Sequence, residues 1–103
     1  MKNTKTKLLD PIHPGEILVE DFMKPHAISI NKLARDLHVP PNRIHGIVHG
    51  NRSITADTAL RLGAYFDDSP ETWLNLQSEF DLRVATRAIG DDIARTVHKR
   101  EAA

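Results

Sequence analysis

Two adjacent prolines, Pro40 and Pro41, constrain this chain more than any other feature of its sequence. Neither has a backbone N–H, so no α-helix runs through them. Proline nevertheless suits the first turn of a helix, where an N–H has no intrahelical acceptor to lose. The run before them, "INKLARDL", sets Ile30, Leu33, Ala34 and Leu37 at i, i+3, i+4 and i+7, one continuous apolar stripe behind Ser29 as N-cap. The run after them puts Ile44, Ile47 and Val48 on one side and stops at Gly50. The expectation is a helix, a short turn and a second helix from about Pro41 to His49, which is helix-turn-helix spacing.

Similar signals predict three more helices and almost no strand. "HPGEILVEDFMK" has Pro14 at an early helical position, acidic residues toward its start, and Lys24 last before Pro25 stops it; Ile17, Leu18 and Phe22 would face the core. Thr55 caps a fourth helix that buries Ala59, Leu60, Gly63 and Phe66, and Ser69 with Pro70 starts a fifth. The fifth carries two apolar stripes: Trp73, Leu76, Phe80 and Val84 on one, Leu82, Ala85 and Ile89 on the other. A domain this small covers one stripe with its own core, which leaves Leu82, Ala85 and Ile89 as the candidate interface of a homodimer. The predicted class is all-α with five helices. Residues 1–12 read as a flexible arm, 13–90 as the domain and 91–103, "DDIARTVHKREAA", as a charged tail.

With 103 residues, 40% hydrophobic and 27% charged, the chain has the composition of one globular domain. No cysteine is present, which excludes disulfides, thiolate metal ligands and a thiol nucleophile and fits a reducing compartment. No apolar run has membrane-spanning length and the N-terminus lacks a secretory core, so a cytoplasmic location with no membrane contact is expected. Formal net charge is +0. The charges are nevertheless segregated: residues 29–54 hold Lys32, Arg35, Arg43 and Arg52 against Asp36, and residues 55–80 hold five carboxylates against Arg61. Positive charge therefore gathers around the helix-turn-helix, as a nucleic-acid face requires.

Once Ile44, Ile47 and Val48 are given to the core, the third helix presents Asn42, Arg43, His45, Gly46 and His49 outward. A helix with such a face fits the major groove of duplex DNA. The Asn42 amide suits bidentate reading of adenine, His45 can exchange one hydrogen bond with a base edge, and Gly46 removes a side chain and permits close approach. Lys32, Arg43, Asn51 and Arg52 are suited to phosphates, which fix position without specifying sequence. His45 and His49 also share a helix face at metal-ligand spacing, but Gly46 stands where a zincin has its glutamate, and no catalytic signature occurs elsewhere. No metal, cofactor or enzymatic activity is expected.

"IHPGEILVEDFM", "INKLARDLHVPPNRIHGIVHGNRSITADTALRLGAYF" and "SPETWLNLQSEFDL" together resemble the HigA-type antitoxins, a branch of the lambda-repressor-like helix-turn-helix proteins. The resemblance spans about Ile12 to Ala85. It implies a homodimer that binds operator DNA at its own promoter, represses its operon and neutralises a HigB-type toxin similar to the RelE-type mRNA endonucleases. Carried over by position, Pro41, Asn42, His45 and Gly46 form the base-facing side, with Arg43, His49 and Arg52 toward the backbone. Lambda-repressor-like proteins often begin the second helix with a phosphate-clamping glutamine. Here that position is Ile30, and Asn31 or Lys32 would take over the contact. Members of this group also act as regulators without a toxin, and a protein-interaction module keeping the helix-turn-helix only as scaffold is the rival reading.

Overall fold

The computed structural model describes residues 10–102 and contains helices joined by turns, with no strand among those residues. We number the α-helices α1 (Pro14–Ile17), α2 (Ile30–Leu37), α3 (Pro41–Val48), α4 (Ala56–Phe66) and α5 (Pro70–Thr96). The expected five-helix, all-α architecture is present. Residues 1–9 of the predicted arm lie outside the described residues.

The first helix departs from the reading that Pro25 stops it. His13 caps α1 through its ring, Nδ1 accepting from the Gly15 N–H at 2.9 Å, and Pro14 opens the helix. The backbone then widens into a π turn over Leu18–Met23, with the Lys24 N–H donating to the Val19 carbonyl, and tightens into a 3-10 turn over Lys24–His26. Pro25 fits there because the first residues of a new turn need no N–H. Leu18 and Met23, five apart like the π-turn hydrogen bonds, are both buried; Phe22 is half-buried against Trp73, ring centroids 4.9 Å apart.

Core packing follows the predicted stripes on α2 and α3, whereas two predicted core positions, Leu60 and Val84, are exposed. On α4 the buried positions are Thr58, Ala59, Leu62 and Gly63, whereas Leu60 is 62% exposed. Helical periodicity explains this: Ala59, Leu62, Gly63 and Phe66 fall at i, i+3, i+4 and i+7, and Leu60 lies about 100° from Ala59. The core joins these to Leu18, Leu33, Ala34, Leu37, Ile44, Ile47, Ile54 and Trp73, with Val48 packed at its margin. Burying this apolar surface is what holds the two helices of the central motif at a fixed angle.

α1 and α3 meet at very close range. A Cβ on Gly15 would lie 1.8 Å from the Ile47 carbonyl oxygen, so only glycine allows the approach. α5 is longer than the tail boundary at residue 91 implied: Asp91–Thr96 continue it. Gly90 costs a helix interior only about 1 kcal/mol relative to alanine. The last turns are further supported by the Asp92–Arg95 ion pair at 2.9 Å and by Thr96 Oγ1 donating to the Asp92 carbonyl. No described residue after Gln77 is buried. Val84, assigned to the core stripe by periodicity, is accordingly exposed, because the body of the domain ends before it.

Candidate nucleic-acid interface

The central motif is built by local capping. Ser29 Oγ accepts from the Lys32 N–H at 3.0 Å to start α2, and His38 ends it in the left-handed conformation, φ 61°. Val39 drops into the core, Pro40 turns the chain and Pro41 opens α3. Ile44 and Ile47 are fully buried, which fixes the opposite face of α3 outward. On that face Pro41, Asn42, His45 and His49 are exposed or half-exposed. The His45 and His49 rings stack with centroids 4.0 Å apart, and His49 Nδ1 lies 2.8 Å from the His45 carbonyl oxygen, closing the end of the helix. Among the described residues no group of three or more histidines or carboxylates is spaced to hold an ion.

Gly46 is half-buried, and its surroundings are intramolecular. Its carbonyl accepts the N–H groups of both Asn51 and Arg52, at 2.8 and 3.1 Å, and a Cβ there would lie 3.1 Å from Arg52 Cβ. The loop after α3, turned by Gly50 at φ 78°, is thereby folded back over the helix, with Asn51 and Arg52 exposed beside His49. Asn31 and Lys32 stand exposed on the first turn of α2. The sequence-predicted groove and backbone residues thus fall on three consecutive segments: the start of α2, the outer face of α3 and the following loop. Leu82, Ala85 and Ile89 lie apart from them on the second half of α5, with Leu82 68% and Ile89 50% exposed.

Several residues that shape this face were not singled out by sequence reasoning. Gln77 is buried on α5; its Oε1 accepts the Ile54 N–H at 2.8 Å and its Nε2 donates to Asp81 at 2.9 Å, which ties the loop to α5. A signal existed: Gln77 lies one turn beyond Trp73, an amide on an otherwise apolar stripe. Carboxylates also sit among the cations. Asp36 pairs with Lys32 at 2.9 Å and accepts from the Tyr65 hydroxyl at 2.9 Å, which holds its carboxyl below the usual carboxylate range and raises the Lys32 ammonium. Asp57, lowered chiefly by Arg61 and then by Arg43, receives Arg61 Nε at 2.6 Å and Arg43 Nη1 at 3.3 Å. Arg43 is therefore half-buried against α4 rather than extended into solvent.

No protein-family model matches the chain. The virulence-associated protein I of Dichelobacter nodosus is 54% identical over 74 residues, covering 72% of this chain and 68% of that protein. Among solved structures, an addiction-module antidote protein of the HigA family from Coxiella burnetii aligns at TM-score 0.83 and 48% identity, over 87% of this chain and 98% of that one. The Pseudomonas aeruginosa antitoxin HigA, solved with the higBA promoter, aligns at TM-score 0.86 and 44% identity, over 89% of this chain and all of that one. No helix among the described residues is long and apolar enough to cross a membrane.

Proposed function

The chain belongs to the HigA-type antitoxins of the lambda-repressor-like helix-turn-helix family, and from that premise we propose that it is a DNA-binding antitoxin that represses its own operon and neutralises a HigB-type mRNA endonuclease in the cytoplasm. The observation that carries the DNA-binding part is the outward face of α3: an exposed Asn42 and His45 over a fully buried Ile44 and Ile47, in a fold superimposable on a relative solved with its promoter. Pro41, Asn42, His45 and Gly46 form the base-facing side, Gly46 by leaving room for the Arg52 side chain to lie against α3. Asn31, Lys32, Arg43, His49, Asn51 and Arg52 supply the phosphate contacts. The role is binding, with no catalytic step of its own.

Two copies act together, joined through Leu82, Ala85 and Ile89, so that the α3 helices enter successive major grooves about 34–36 Å apart on inverted half-sites. The second half of α5 supports this: a helix of that length gains little stability alone in water, and here it exposes Leu82, Val84, Ile89 and Ile93. Residues 13–90 form the binding and dimerisation domain, extended by the last turns of α5.

The test is titration of the purified protein against its own upstream DNA and an unrelated duplex at two salt concentrations. Selective, salt-sensitive binding is expected. Arg52→Ala should weaken binding to both duplexes alike and reduce the salt slope by about 0.9 for each phosphate it no longer neutralises, while Asn42→Ala should relax preference at one base pair. Equal or negligible binding to the two duplexes overturns the reading.

A further inference from the structure

Two of the cations proposed to hold phosphate are already held by carboxylates, and those carboxylates are themselves anchored. Lys32 Nζ lies 2.9 Å from Asp36 Oδ2, and Arg43 Nη1 3.3 Å from Asp57 Oδ2. A single exposed pair of this kind is worth little. What distinguishes these two is a second donor on each carboxylate. Tyr65 of α4 donates its hydroxyl to Asp36 of α2. Arg61 donates Nε to Asp57, and its Nη1 donates to the Leu37 carbonyl at the end of α2 at 2.8 Å. Should Lys32 or Arg43 turn away, Asp36 and Asp57 keep their framework partners and stay where they are. By contrast Arg52, the cation of the loop after α3, makes no ion pair among the described residues.

We propose that Asp36 and Asp57 are specificity-determining residues that hold down sequence-independent DNA binding, each as a fixed counter-anion that a backbone phosphate must displace from its cation. The proposal rests on the DNA-binding reading above. Generic duplex binding comes almost wholly from phosphate–cation attraction. A phosphate approaching Lys32 or Arg43 meets a cation already neutralised and an anion that does not leave, so charge alone gives little. Where the bases also match α3, base-edge contacts outweigh the exchange. The formal net charge of +0 fits this arrangement, since the whole molecule adds no long-range attraction to compensate.

The substitution Asp36→Asn keeps the shape and an oxygen for the Tyr65 hydroxyl while removing the charge; Asp57→Asn does the same at the second site. The full chain is titrated against its upstream DNA and an unrelated duplex of equal length at two salt concentrations. Glu20→Gln, which removes the carboxylate of an exposed pair with Lys24 that is not among the proposed phosphate contacts, controls for net charge. Asp36→Asn should bind the unrelated duplex roughly three- to tenfold more tightly than wild type and steepen the salt slope by about 0.9 per released cation. Glu20→Gln should stay within about twofold of wild type, since the Lys24 it releases is not among the proposed phosphate contacts and exposed charges are screened by salt. Unchanged or weaker binding of the unrelated duplex by Asp36→Asn, with the wild-type operator preference intact, overturns this inference and leaves the DNA-binding reading standing. An equal gain in Glu20→Gln overturns it too, since net charge alone would then account for the effect. Absence of operator preference in the wild type removes the reading on which both depend. Should Asp57→Asn lose its helical signal, Asp36→Asn alone decides.

Discussion

At the residue scale, His13 has a structural role that its position before "PG" does not advertise. Its Nδ1 accepts the Gly15 N–H and its ring meets Phe80 edge-on, centroids 4.9 Å apart. Partial burial lowers its pKa below the ordinary 6.5, opposed by Asp81 and by the Arg52 backbone. The folded protein therefore binds this proton less readily than the unfolded chain. Stability from this site is whole above 6.5 and is lost as pH falls through the lower, folded value. Thermal melts from about pH 7.5 down to about pH 5 should show a steeper loss in the wild type than in His13→Asn, whose side-chain oxygen caps without titrating. Parallel curves would remove His13 from that role. Gly15→Ala tests the neighbouring contact: the added Cβ meets a backbone oxygen that cannot rotate away, and denaturant unfolding should report a loss of about 3 kcal/mol.

At the scale of elements, the α3 face depends on how the loop after it is held. Asn51 and Arg52 hang from the Gly46 carbonyl, and Ile54 is fixed by Gln77 from α5. Gln77→Leu keeps volume but leaves the Ile54 N–H buried without a partner, a cost of about 1–3 kcal/mol measurable as a shift in denaturant midpoint. Because the same loop carries Arg52, operator affinity should fall as well; full affinity together with wild-type stability would mean the loop holds its shape without the amide. The helices themselves were legible in the sequence, since prolines, caps and 3.6-residue stripes act within one turn of the chain. The π turn at Leu18–Met23 was not, because the backbone widens there to seat two side chains in a core that other helices supply. Leu60 misled for a related reason: it is apolar, but its angle on α4 points it away from that core.

At the scale of the whole molecule, α5 leaves the domain and carries its apolar residues into solvent, and the described residues extend 53 Å in their longest dimension. If this half-helix joins two copies, operator affinity is a two-site quantity. Ile89→Glu or Leu82→Glu should convert dimer to monomer in sedimentation velocity and weaken operator binding about a hundredfold or more, since the second half-site contact is then no longer intramolecular. A variant that stays dimeric would place the interface elsewhere. What the sequence determined by itself is the set of helices, their order and the polar face of α3, because each follows from interactions between residues three or four apart. The tertiary structure alone decided which of those polar residues are free. Arg43 is tied to Asp57 across 14 positions, Asp36 to Tyr65 across 29 and Ile54 to Gln77 across 23. Such pairs form only when packed helices bring distant segments together, and no local periodicity encodes that juxtaposition.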